Sequence, residues 1–171
     1  LANHGVHKAG TDFDRHVELA SILPLLGYRT LRPAKPGESA REVPSAVYFD
    51  LASWHLINTV YAPARVAELR SMKSWYLDSR HHLRLMATVE ERLGHALAAA
   101  AEQAKIDVAL GGQAHIDLGV LEPGLVAELR EAQAAAALET DMALIVEAAR
   151  DTARLLASKE GQSPNWFELG D

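Results

Sequence analysis

Leu93-Gly94-His95-Ala96-Leu97-Ala98-Ala99-Ala100-Ala101-Glu102-Gln103-Ala104-Lys105-Ile106-Asp107-Val108-Ala109-Leu110-Gly111-Gly112 is the stretch on which the reading of this chain turns. Ala96 to Ala101 has the highest intrinsic helix propensity of the sequence. Upstream, apolar residues keep the same three- and four-residue steps, so that Leu83, Met86, Val89, Leu93, Leu97, Ala100, Ala104 and Val108 form one stripe. The spacing predicts a single long helix from about His82 to Leu110, ended by Gly111-Gly112. Beyond it Ile116, Leu118 and Val120 alternate with Asp117 and Gly119, the pattern of a strand with one buried face.

Toward the N-terminus, Pro63 is placed to be the first residue of a helix carrying Val66, Leu69, Met72 and Tyr76. Pro44-Ser45 opens an earlier helix in which Tyr48, Leu51, Trp54 or His55, and Asn58 mark one face. Val47, Phe49, Leu56, Ile57 and Val60 make that helix apolar nearly all round, as buried helices are. Tyr28 to Val43 holds three arginines, two prolines and a glycine and reads as a loop. Before it, Thr11 or Asp12 can cap a helix with Phe13, Val17, Leu19, Ile22 and Leu25 that stops at Gly27. Residues 1 to 8 read as the end of a strand. On the other side, Pro123-Gly124 turns the chain into a final helical stretch striped by Leu138, Met142, Ile145, Ala149 and Leu156 and closed by Gly161 and Pro164. The expected fold is α+β and mostly helical, a single unit over residues 1–171 with a small sheet fed by the N-terminus and the segment near residue 116.

Composition narrows the function classes. A chain of 171 residues makes one domain and scarcely two. Its apolar content of 49% and charged content of 23% are those of a globular protein. With 17 basic against 23 acidic residues the net charge is -6, which argues against nucleic acid and against an anionic membrane surface as partners. The absence of cysteine removes disulfides, thiol nucleophiles and thiolate zinc sites, and fits the cytoplasm. The opening Leu1-Ala2-Asn3-His4 is neither a secretory signal nor a transit peptide, and reads as the start of a piece of a longer protein. No apolar run approaches the roughly 20 residues of a membrane span.

The common catalytic signatures are missing: no Gly-x-x-x-x-Gly-Lys-Ser/Thr loop, no Gly-x-Gly-x-x-Gly, no Gly-x-Ser-x-Gly elbow, no His-Glu-x-x-His and no Glu-x-x-His. No catalytic residue and no metal site is therefore assigned. His81 and His82 are adjacent, so on a helix they point about 100° apart and do not grip one ion. His4 and His7 read as surface residues, and Glu91 with His95 as an ordinary helical pair.

One face is unusual. Turning the 93–112 helix by about 100° per residue gathers Glu102, Lys105, Ile106 and Ala109 opposite the apolar stripe. On periodicity alone, a solvated Glu–Lys pair with Ile106 incidentally exposed is the more economical explanation. The other is a ligand edge, in which carboxylate and ammonium hold a pair of sugar hydroxyls while the apolar strip receives a planar base.

Ala9-Gly10-Thr11-Asp12-Phe13-Asp14 resembles the Gly-Gly-x-Asp-Phe-Asp signature of the DnaK-type heat shock protein 70 family. Glu102-Gln103-Ala104-Lys105-Ile106 resembles its Glu-x-Ala-Lys-Arg/Ile segment, in the right order and with helix between. Leu23-Pro24-Leu25-Leu26-Gly27 is similar to the short YegD-type homologues. The matching stretches cover about a quarter of the chain, and residues 28 to 80 fit the common chaperone pattern poorly. The resemblance implies the upper helical lobe (subdomain IIB) of an actin-like ATPase fold. It implies that Glu102 and Lys105 contact the ribose hydroxyls of ATP or ADP, that Ile106 packs on the adenine, and that Gly10 lies at the cleft wall. Ala109 stands where the family has a serine bonded to adenine, and Ala9 replaces a glycine. The phosphate loops, the Mg2+-binding aspartates and the catalytic lysine belong to other lobes. The piece alone is thus expected neither to hydrolyse ATP nor to hold it tightly, and its expected partners are the remaining lobes, with nucleotide-exchange or client proteins beyond them. The competing expectation is a free-standing helical interaction module without nucleotide, using the aromatic-rich segment from Tyr48 to Trp75 as its surface.

Overall fold

The structure, a computed structural model, describes residues 10–35, 37–139 and 150. The chain divides into Gly10–Leu138 and a second unit of Leu1–Ala9 with Glu139–Asp171. The first unit carries the architecture given below. The expected strand at residues 1–8 and the stripe Met142, Ile145, Ala149 and Leu156 lie outside the described residues.

Helix α1 spans Gly10–Ser21. It buries Val17, Glu18 and Ser21, and the Ser21 hydroxyl donates to the Val17 carbonyl at 2.7 Å. A single 3-10 turn, Leu23–Leu26, carries the chain on to Gly27. Glycine is required there twice over. Its φ is +105°, and a Cβ would stand 2.5 Å from Tyr76 Cε1. Among the described residues of the following loop there is one isolated bridge, Leu31–Glu42, as its prolines and glycine suggest.

The next helix is shorter than expected. Helix α2 covers Ala46–Leu51 and α3 covers Ile57–Val60, with turns between them. At the break the Ser53 hydroxyl donates back to the Phe49 carbonyl at 2.7 Å, competing with the helical ladder. Trp54, His55 and Asn58 are consequently exposed rather than part of a core face. Pro63 does open α4, Pro63–Ser71, and the preceding Ala62 is extended (φ -61°, ψ 134°) as a residue before proline should be. A 3-10 turn, Met72–Trp75, ends it.

The long 82–110 helix is two helices. Helix α5, Ser79–Glu90, is capped by the Asp78 carboxylate, which accepts from the Arg80 amide at 2.9 Å. It stops because Arg92 takes the left-handed conformation (φ +57°), and Leu93 N–H donates to the Thr88 carbonyl at 2.8 Å. Within α5 the buried apolar face is Leu85, Met86 and Val89, so Leu83, expected in the stripe, is left 57% exposed. Arg84 is buried too, its Nε donating to Glu122 at 2.6 Å and its guanidinium to the Leu25 carbonyl at 3.2 Å.

Helix α6, Gly94–Gly111, buries Leu97, Ala101, Ala104 and Val108 and ends at Gly112, φ +76°. It packs against α1 on one side and the sheet on the other. The sheet pairs β1, Gln113–Asp117, with β2, Val126–Arg130, antiparallel from Gln113↔Arg130 to Asp117↔Val126. Ala114, Ile116, Ala127 and Leu129 face the core. Pro123-Gly124 thus leads into a strand, and only at 131–139 does the chain become helical again. Val120 is 55% exposed and lies in the connection, not the strand. The described residues are mostly helical, with one small antiparallel sheet.

Candidate functional site

The face opposite the α6 core stripe forms largely as the helical wheel requires. Glu102 and Ala109 are exposed and Ile106 is 43% exposed, while Leu97, Ala104 and Val108 are buried. Ala101, fully buried, replaces Ala100 at the centre of the stripe.

Lys105 is the exception on that face. Its ammonium forms an ion pair with the Asp14 carboxylate of α1, both side chains being under a third exposed. The pair joins the Asp12-Phe13-Asp14 segment to the Glu102–Ile106 segment across the α1–α6 contact, although the two are far apart in sequence. Asp14 belongs to the quoted signature but was given no role of its own by the sequence. Its partner is visible only once α1 and α6 are packed. Gly10 opens α1, and its surroundings lie outside the described residues.

Beyond Lys105 the face continues into a groove of about 280 Å3. It lies between the end of α6 (Lys105, Val108, Ala109) and the 131–139 helix (Glu131, Ala134, Leu138). Its walls are mostly alanine and aliphatic carbon, with one ammonium and one carboxylate at the edges. Such a slot admits a flat apolar ring and offers opposite charges to hydroxyls beside it.

Sequence reasoning missed Glu18. The residue is 1% exposed, its Oε1 has no hydrogen-bond partner, and burial pushes its carboxyl up to about 8. The signal was present, since Glu18 directly follows Val17 and stands four residues before Ile22, just past the end of α1, and both of those apolar residues are buried.

The remaining candidates have structural roles. His82 is buried with its Nε2 at 2.9 Å from the Leu69 carbonyl, and His4 and His7 lie outside the described residues. Glu91 follows the end of α5 and His95 sits on α6, so they are not a pair on one helix. In the aromatic segment, Tyr48 and Tyr76 are buried with hydroxyls 2.9 Å apart, and Trp75 lies under the Arg32 guanidinium at 3.9 Å. Trp54, 63% exposed, is the main aromatic left to solvent there. Among the described residues no helix is long and apolar enough to cross a membrane, and no group of three or more ligand-type side chains is placed to hold a metal ion.

Compared with models of known protein families, with curated proteins and with solved structures, the chain finds no match.

Proposed function

We propose that this chain is the adenosine-side lid lobe of a heat shock protein 70-like ATPase with an actin-like fold. In the intact cytoplasmic protein it closes over ATP or ADP, whose phosphates and Mg2+ are held by other lobes. The observation that carries the reading is the Asp14–Lys105 ion pair. It brings the two resembling segments into one place, with Glu102, Ile106 and Ala109 exposed on α6 and Lys105 and Ala109 at the groove.

The chemistry follows from those groups. The Glu102 carboxylate accepts hydrogen bonds from ribose hydroxyls, and Lys105, oriented by Asp14, donates to them. Ile106 and the aliphatic groove wall pack on the adenine ring. Ala109 has no hydroxyl, so at that position the base is held by packing alone. None of these groups attacks or protonates a phosphate. The lobe supplies binding energy, excludes water when it closes, and gates release when it opens.

Reading the coding sequence on both sides of this segment tests the proposal. Glycine-rich loops with an early Asp-x-Gly upstream and a Gly-Gly pair soon after Asp171 would support it. A start codon directly before Leu1 together with a stop directly after Asp171 would overturn it.

A further inference from the structure

Strand β1 has an open edge. The Leu118 amide donates to the Leu125 carbonyl and the Glu131 amide to the Gly112 carbonyl, each at 2.9 Å, at the two ends of the β1–β2 register. Bonding alternates along an antiparallel pair, so Ala114 and Ile116 turn their N–H and C=O toward β2, and Gln113, His115 and Asp117 turn theirs away. Among the described residues no backbone group pairs with those outward ones. A groove of about 140 Å3 lies beside them, lined by Ala100, Gln103 and Asp107 of α6 and by His115, Ile116 and Asp117, and by no residue of β2. It contains none of the residues assigned to the nucleotide. The outer edge of β2 is better guarded. Its Arg130 N–H donates to the Gln133 side chain at 3.0 Å, and α1 packs near it. Strand β1 has none of the usual guards of an edge, with no lysine, no proline and no bulge.

We infer that β1 pairs edge to edge with β1 of a second copy of this chain, antiparallel and two-fold symmetric about His115. This register pairs every residue of the strand, Gln113–Asp117, and the residues it sets opposite one another agree on both faces. On the solvent face Gln113 meets the partner's Asp117, an amide donor against a carboxylate. Asp117 keeps Oδ2 for this bond, since its Oδ1 accepts from the Gly119 amide at 2.8 Å. His115 meets the partner's His115, and the two exchange both backbone bonds. On the α6 face Ala114 meets the partner's Ile116, small against large. Centring the pair on Asp117 instead would set two carboxylates opposite each other, which is destabilising. A contact of this kind uses the same patch on both molecules, so it closes as a dimer with one continuous sheet. The inference does not depend on the nucleotide reading.

Sedimentation equilibrium of the full chain from about 10 µM to about 1 mM tests this. So short an edge makes a small, transient interface, and a dimer with a dissociation constant of about 100 µM is expected. His115→Pro removes the outward N–H at the two-fold axis, a change that strand edges tolerate, and should weaken the dimer at least about tenfold. Gln113→Asp sets carboxylates opposite each other across the dimer while facing Arg130 within its own hairpin. It should also weaken the dimer about tenfold, and it covers the case in which the proline variant does not fold. Cross-linking reads the register separately. The chain has no cysteine, so His115→Cys places one thiol per copy with the two Cα atoms about 5.5 Å apart, within reach of a disulfide. Glu128→Cys, on the neighbouring strand, does not. Diamide should cross-link the first variant at least about tenfold faster than the second. A monomer throughout the concentration range, a dimer unaffected by either folded variant, or equal cross-linking of the two cysteine variants would overturn the inference.

Discussion

Replacing Glu18 by glutamine should change how the stability of this protein depends on pH. Glu18 is 1% exposed, and its carboxyl is pushed from an ordinary 4.5 up to about 8 by the loss of hydration. Below about pH 4.5 it is protonated in both the folded and the unfolded chain and carries no penalty. Between that value and about 8 the unfolded chain gives up the proton while the folded protein keeps it. The folded state then binds more protons, so stability falls as pH rises, by up to about 1.4 kcal/mol per pH unit. From pH 5 to pH 7 the loss is about 3 kcal/mol, a large part of the stability of an ordinary domain. Glutamine has nearly the same shape and no proton to lose. Other groups act on both proteins alike. Arg80 and Arg84 hold the half-buried Asp78 and Glu122 carboxyls below their usual range, and that stabilisation is lost only at more acid pH. Urea unfolding followed by tryptophan fluorescence at pH 5, 6, 7 and 8 measures the difference. The advantage of Glu18→Gln over the parent should be small at pH 5 and grow by about 3 kcal/mol by pH 7. A constant advantage, or none, across that range would refute a desolvated carboxyl at position 18.

Other perturbations follow from the packing. Tyr48→Phe removes the hydroxyl that donates to the Leu26 carbonyl at 3.0 Å and accepts from Tyr76 at 2.9 Å, so urea unfolding should show a loss of about 1–3 kcal/mol from two stranded buried groups. Gly94→Ala should destabilise by about 1–3 kcal/mol despite the better helix propensity of alanine, because the new Cβ would stand 2.6 Å from Ile57 Cγ2 and 2.7 Å from the Tyr61 hydroxyl; a rise in melting temperature would contradict that contact. Combining Asp14→Ala with Lys105→Ala in a double-mutant cycle should give a coupling of about 1 kcal/mol, and additive effects would mean the ion pair holds nothing together.

The sequence was most legible where one residue type dictates backbone geometry. Pro63 marks the start of α4, and Gly27 and Gly112 mark stops, because their φ values of +105° and +76° exclude most other residues. The break between α5 and α6 was illegible because the left-handed position is filled by Arg92, which carries no such signal and lets the apolar spacing run on unbroken. Strand β2 was overlooked for a different reason. Ala127 and Leu129 are its only inward residues, too few to stand out beside an alanine-rich helix. On the site face, helical geometry alone placed Glu102, Ile106 and Ala109 correctly. It could not show that Lys105 is already engaged by Asp14, since that depends on how α1 packs against α6. This also changes which variants are informative, because removing Lys105 strands a part-buried carboxylate whereas Glu102 is free to be replaced.

The most direct test is therefore the ATP and ADP affinity of the intact protein with Glu102→Ala and Ile106→Ala, both exposed on α6, compared with the parent. Loss of a charge-assisted hydrogen bond to the ribose should weaken nucleotide binding by roughly 10- to 100-fold in Glu102→Ala, with a smaller loss in Ile106→Ala and unchanged melting temperatures for the nucleotide-free proteins. Unchanged affinity in both variants, with the parent binding nucleotide, would contradict the assignment of this face.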